Sequence, residues 1–180
     1  MPNIYGGEGI VIHENCIILG IQKENRWYNL DNNYKGAIIK TIGGKLEKKD
    51  YNSMRKALIR EIKEELNLSL KDIKVSHKCL FQKEILMGDL NPFDSNSKIM
   101  MKAKFYYVNL PDNIKIISGD LPIILKIPIK DFIKLDYNVI MDSNILKKYF
   151  IKIDNDIDIP KYVSLFIPEE VRLYLRSHYE

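Results

Sequence analysis

Apolar residues recur at helical spacing most clearly in residues 54–68, where Met54, Leu58, Ile62 and Leu66 fall on one stripe. That spacing buries one face of an amphipathic helix against a core. Asn52 or Ser53 suits its N-cap, and Asn67 suits a left-handed residue at its C-terminal end. Ahead of the helix the pattern is that of strands. Ile10–His13 and Cys16–Ile21 flank Glu14-Asn15, which predicts a hairpin or a bent strand. Gly36 opens the apolar run Ala37–Ile42, and Gly43-Gly44 closes it. After the helix, Asp72–Gln82 and Ile99–Leu110 read as strands of a long antiparallel hairpin around the turn-rich loop Met87–Lys98. Pro111–Gly119 predicts a turn followed by a short strand. Leu121–Ile129 contains two prolines, which predicts an edge strand. Short helices are expected at Ile129–Leu135 and Asn144–Phe150. A closing helix is expected at Pro168–Ser177, with Glu169 and Glu170 at its positive end. Val171, Leu173 and Leu175 make no clean stripe there, so that helix should be partly buried.

This succession predicts one α/β domain over residues 1–180, a mixed sheet with flanking helices. A chain of 180 residues can bury a substantial core. Its 28 basic and 24 acidic residues leave a net charge of +4, too small by itself to indicate nucleic-acid binding. Nucleic acid remains a compatible partner on this charge, but not an indicated one. No apolar run approaches the length needed to span a bilayer, and Met1–Gly9 lacks the features of a signal peptide, so a cytoplasmic protein is expected. Cys16 and Cys79 stand in apolar, strand-like contexts and are expected to be buried free thiols. The oligomeric state is open, and a homodimer is compatible with the sequence.

The predicted helix carries an arrangement that is unfavourable in isolation. Glu61, Glu64 and Glu65 share an arc of roughly 100° beside the apolar stripe. Glu61 and Glu65 are a like-charge pair four residues apart, and Glu64 and Glu65 lie at the negative end of the helix dipole. Arg60, four residues before Glu64, is the obvious local counter-charge. A divalent cation would reverse the sign of all these terms. Magnesium fits, as a hard ion commonly held by a few carboxylates together with substrate phosphates; manganese is the alternative. A solvated polar face would show much of the same composition. The glycines just upstream favour a site, because glycine at a strand end lets backbone approach a ligand closely.

Other candidates are weaker. Gly6–Gly9 could be read as a phosphate loop, but no P-loop lysine follows. Trp27 and Tyr28 form the first aromatic pair near the acids. Trp27 is a packing residue or a stacking surface for a nucleobase, and is carried as a candidate substrate contact. Asp31–Lys35 is a polar loop expected at the site's rim. His77 reads as a strand histidine without a partner. Asp154, Asp156 and Asp158 lack the glycine and terminal glutamate of a calcium loop and read as a solvated edge.

Taken together, Gly43–Leu68 resembles the Nudix hydrolase signature, G-x5-E-x7-R-E-U-x-E-E-x-G-U, where U is a bulky aliphatic residue. Arg60-Glu61-Ile62-Lys63-Glu64-Glu65-Leu66-Asn67-Leu68 matches its second half, with Asn67 in place of the glycine. Gly44 begins the first half, which reaches Asp50 where the family has glutamate. Between Asp50 and Arg60 the chain is two residues longer than the signature, and Lys49 replaces a glycine. The resemblance implies an α/β/α sandwich and magnesium-dependent hydrolysis of a pyrophosphate bond in a nucleoside diphosphate linked to another group. ADP-ribose, a dinucleotide, a nucleoside triphosphate and capped RNA all fit that description. By motif position it implies Glu61, Glu64, Glu65 and the Gly43 carbonyl as metal ligands. Glu61 would be a ligand or the base acting on water, and Arg60 would hold the glutamates. Lys45 and Glu47 would lie near the substrate. A base supplied from a later loop would come from Glu84, Asp89, Asp94 or Asp120. A nucleotide-binding sensor with little turnover is the alternative that the longer loop suggests.

Overall fold

A computed structural model describes residues 2–152 and 156–179. The chain begins with strand β1 (Ile4–His13), β2 (Cys16–Ile21), β3 (Tyr28–Asn29) and β4 (Lys35–Lys45). Helix α1 (Met54–Leu66) follows, then β5 (Lys74–Val75), β6 (Phe81–Leu86), the one-turn helix α2 (Met87–Leu90) and β7 (Met100–Asn109). The last third holds β8 (Ile123–Pro128), the short helix α3 (Ile129–Phe132), β9 (Met141–Asp142), β10 (Phe150–Lys152), β11 (Tyr162–Phe166) and helix α4 (Glu169–Tyr179).

Strand β1 is the hub of a mixed sheet. Its last residues form a hairpin with β2 through Glu14 and Asn15, both in left-handed backbone. Its first half runs antiparallel to β4, with Glu8 opposite Gly43, and along its other edge it pairs in parallel with β7. The first half of β4 pairs in parallel with β11, and β2 passes outward to β8 and β10.

Both faces of this sheet are covered, so the strands are apolar on both sides. Leu58, Ile62 and Leu66 of α1 pack on Val11, Ile18, Ile42 and Ile124. On the opposite face Phe132, Val171 and Leu175 of α3 and α4 pack on Ile10, Ile39 and Phe105. The architecture is the expected α/β/α sandwich. Helix α4 is half-buried, with Leu173 turned to solvent. No helix among the described residues is long and apolar enough to cross a membrane.

The glycines of β1 have a packing role in place of the phosphate-loop reading. A Cβ at Gly7 would lie 1.9 Å from the Met54 carbonyl oxygen, so the bare backbone lets α1 sit directly on the strand.

Several local expectations are corrected. Strand β8 is an interior strand between β2 and β10, because Pro122 precedes it and Pro128 closes it. Asp72–Gln82 breaks into a helical turn, β5 and a bend before β6, which leaves His77 and Cys79 exposed; Cys16, the first residue of β2, is half-buried. Asn144–Phe150 forms two 3-10 turns leading into β10. Asp156 and Asp158 are exposed, whereas Asp154 lies outside the described residues.

Candidate active site

Three local devices hold helix α1 in place. The Ser53 hydroxyl accepts the Lys56 N–H at 3.3 Å, Tyr51 and Asn52 take left-handed backbone in the turn before it, and Asn67 ends it with φ 50°. Its polar edge then faces the end of β4. A Cβ on Gly44 would lie 2.4 Å from Glu61 Oε1, and one on Gly43, whose φ is +153°, would lie 2.3 Å from the Gly7 oxygen. The glycine pair is what lets the helix acids and β1 close around this backbone.

The acids separate into an inner and an outer group. Inside, Glu65 is 6% exposed and accepts the Gly43 N–H at 3.2 Å. The Lys40 ammonium donates to Glu65 Oε1 at 2.8 Å and to the Gly43 carbonyl at 3.0 Å. Glu8 is also buried, and accepts the Thr41 hydroxyl at 2.6 Å. Burial pushes the Glu8 carboxyl up to about 7, against the opposing pull of Lys40 and Thr41. Burial likewise raises Glu65 in spite of Lys40. For Lys40 itself burial disfavours the charge, but Glu65 and Glu8 outweigh it and hold the ammonium above the ordinary lysine range.

Arg60 organises the outer group. Its Nε and Nη2 each donate to one oxygen of Asp50 at 3.1 Å, a bidentate pair, and Nη2 also donates to the Lys45 carbonyl at 2.9 Å. Nη1 donates to Glu61 at 2.5 Å and to Glu64 at 3.3 Å, with Glu47 at 3.6 Å. Asp50 in turn accepts the Glu47 N–H at 2.8 Å. The hydrogen bond from Arg60 holds the Asp50 carboxyl below its usual range, against the effect of burial, and Asp50 and Glu61 keep the guanidinium charged. Asp50 therefore positions Arg60.

Whereas Glu8 and Thr41 line a neighbouring cavity and Asp50 lies behind Arg60, Lys40 and Glu65 of the inner group and Arg60 with the outer glutamates line a cavity of about 410 Å³. Gly43, Lys45, Glu47, Arg60, Glu61, Glu64 and Glu65, all singled out by the sequence, lie on its wall. Trp27 does not. It packs against the core and donates its indole N–H to the Gln22 carbonyl at 2.8 Å, while its neighbour Tyr28 lines a second cavity of about 390 Å³. That cavity is mainly apolar, and shares Gln22, Arg26, Lys40, Gly43, Gly44 and Lys45 with the first. Of the later acids, Asp120 reaches the polar cavity, where its N–H donates to the Glu64 carbonyl at 3.0 Å and its carboxylate meets Lys23 at 3.4 Å. Asp94 lines the apolar cavity, and Glu84 and Asp89 line neither.

Sequence reasoning missed Glu8 and Lys40. Each is a charged residue inside an otherwise apolar or glycine strand segment, GGEGIV and AIIKTI. Charged side chains are rarely buried unless paired, and that was the available signal.

No group of three or more His, Cys, Asp or Glu side chains among the described residues is arranged to hold a metal ion. The pocket between the Gly43 carbonyl and Glu65 nevertheless holds a cation, the Lys40 ammonium. Its donors are a carbonyl and a carboxylate oxygen, with Glu61 and Glu64 on the same cavity wall. This oxygen set suits magnesium or manganese.

No protein-family model matches the chain, and no curated protein sequence matches it. Solved structures do. Dihydroneopterin triphosphate pyrophosphohydrolase of E. coli aligns with a TM-score of 0.52 over 73% of this chain and 84% of its own, at 12% identity. The E. coli ORF135 protein aligns at 0.48 over 83% and 89%, with 16% identity. A NUDIX-family hydrolase from Clostridium perfringens aligns at 0.46 over 83% and 95%, with 12% identity. The first of these similarities shows that the chain shares the fold of that pyrophosphohydrolase.

Proposed function

We propose that the chain is a Nudix-type hydrolase that cleaves a pyrophosphate bond in a nucleoside diphosphate linked to another moiety, with magnesium or manganese as cofactor. The observation that carries this reading is that Gly43, Glu61, Glu64 and Glu65 lie on the wall of one cavity beside an apolar one. The shared fold with a pyrophosphohydrolase and the sequence resemblance to the Nudix signature support it.

Glu61, Glu64, Glu65 and the Gly43 carbonyl would hold the cation. When bound, it would neutralise phosphate oxygens and make water a better nucleophile. Arg60 fixes Glu61 and Glu64 by charge-assisted hydrogen bonds and is itself fixed by Asp50. Lys45, on the wall common to both cavities, meets a phosphate of the substrate. A water attacks as a new P–O bond forms and the bridging P–O bond breaks, and its proton goes to Glu61 where Glu61 acts as the base and not as a ligand. The products are a nucleotide and the phosphorylated second moiety. The apolar cavity, with Tyr28, Phe105 and Met101, receives the organic part of the substrate.

The test is product release from a panel of nucleoside diphosphate conjugates, with magnesium and with chelator, by the wild type and Glu64→Gln. Metal-dependent turnover that Glu64→Gln loses while melting like the wild type is expected. Turnover by Glu64→Gln near the wild-type rate overturns the assignment.

A further inference from the structure

The pocket between Gly43 and Glu65 holds a cation supplied by the chain itself. Lys40 Nζ lies 3.0 Å from the Gly43 carbonyl oxygen and 2.8 Å from Glu65 Oε1, and Glu65 is held from its other oxygen by the Gly43 N–H. These are the carbonyl and the carboxylate that a divalent ion would need in the reading above. Lys40 stands on a central strand, where its neighbours Ile39 and Thr41 are buried, and it lines both cavities. An ammonium and a divalent ion cannot share one carbonyl and one carboxylate oxygen, because like charges at contact distance repel.

We propose that Lys40 is a placeholder cation. It occupies the pocket between Gly43 and Glu65 when no divalent ion is bound, and the ion enters by displacing it. The displaced ammonium is then released on the wall common to both cavities, where a substrate phosphate would lie. Lys40 thereby lowers the apparent affinity for the ion and makes a second positive charge available only once the ion is bound. This inference rests on the cation-dependent function proposed above.

The experiment is a Mn²⁺ titration of the full chain, read by the free-ion electron paramagnetic resonance signal, for wild type, Lys40→Met and Lys40→Arg. Removing the competing charge should tighten Mn²⁺ binding about tenfold or more in Lys40→Met, and the gain should be absent in Lys40→Arg. Adding Glu65→Gln to Lys40→Met should abolish the gain. A second measurement needs no variant. Reductive methylation of the wild-type chain, read by peptide mass, should modify Lys40 more readily at saturating Mn²⁺ than with chelator. Mn²⁺ binding that is no tighter in Lys40→Met, or Lys40 methylation that does not rise with Mn²⁺, overturns the inference while metal-dependent turnover leaves the function standing. A chain that neither binds Mn²⁺ nor shows metal-dependent turnover overturns both.

Discussion

The two cavities that share strand β4 as a wall are built in opposite ways. The polar one takes Arg60, Glu61, Glu64 and Glu65 from two turns of a single helix, and closes them on one glycine pair. The apolar one takes Ile4, Tyr28, Ile38, Ile85, Met101, Phe105 and Phe166 from six strands scattered along the chain. One is an arrangement of charge written into helical periodicity. The other is a shape that exists only once the sheet has formed. On the proposed reading, the chemistry therefore resides in a local motif, and selection of the substrate's organic part resides in the topology. Changes on the two sides should have separable effects.

The largest effect is expected at Glu64. This carboxylate is exposed on α1 and carries little of the core, so Glu64→Gln should melt like the wild type. It should lower kcat about a thousandfold, roughly 4 kcal/mol of barrier, with little change in KM. Steady-state kinetics on the substrate found in the panel gives the number. A change confined to KM would erase the distinction between the two cavities.

Next in size is a purely structural change on the polar side. Gly7→Ala places a methyl group against the Met54 carbonyl, which must move for α1 to remain on β1. The cost should be about 3 kcal/mol, at the upper end of overpacking effects. Urea unfolding followed by circular dichroism measures it. A loss below about 1 kcal/mol would mean that α1 rides more loosely on the sheet than its contacts indicate.

The same contrast explains what could be read from the sequence. Helix α1, its cap at Ser53, its left-handed end at Asn67 and the grouping of its acids depend on neighbours within about four residues, and so were legible. The hairpin at Glu14-Asn15 was legible for the same reason. Lys40 and Glu8 were not, because their partners come from other elements: Glu65 is 25 positions from Lys40, and Thr41 is 33 from Glu8. Of the two readings open for Trp27, the structure shows the packing one: it ends a 3-10 turn and lies against the core, while Tyr28, the first residue of β3, lines the apolar cavity. Which of two adjacent rings meets the cavity depends on the pairing of β3 with β4, which no local pattern shows. Pro122 and Pro128 suggested an edge strand because sequence alone does not show that they bracket β8 instead of interrupting it.

Asp50 sharpens the comparison on its polar side. Its carboxylate is buried and paired with the Arg60 fork, so Asp50→Asn removes the charge that holds Arg60 in place. A loss of about 2 kcal/mol of stability is expected at neutral pH. Arg60 holds the folded-state value of Asp50 below its unfolded value, so the pair's contribution is complete above the unfolded value near 4 and is lost as the pH falls through the folded one. The difference between wild type and Asp50→Asn should therefore be largest at neutral pH and shrink below about pH 4. Melting curves across that range test it. A constant difference would mean that shape, not charge, is what Asp50 contributes.

The smallest effect is expected on the apolar side. Tyr28 stacks on Phe93 with ring centroids 5.3 Å apart, and its hydroxyl accepts the Asn91 amide at 2.7 Å, so the ring is held as a fixed wall of the cavity. It lines the apolar cavity and not the polar one, where Glu61, Glu64 and Glu65 stand. Tyr28→Ala should therefore raise KM about tenfold, near 1.4 kcal/mol of uniform binding, and leave kcat within about twofold. A hydrophobic wall binds the ground state and the transition state alike, whereas the acids act on charge that develops at the phosphate. Any hydrolysis of inorganic pyrophosphate should be unchanged in the same variant, because that molecule has no organic part to lose contact with. A fall in kcat equal to the fall in kcat/KM would place Tyr28 in the reacting geometry and join the two cavities into one functional unit.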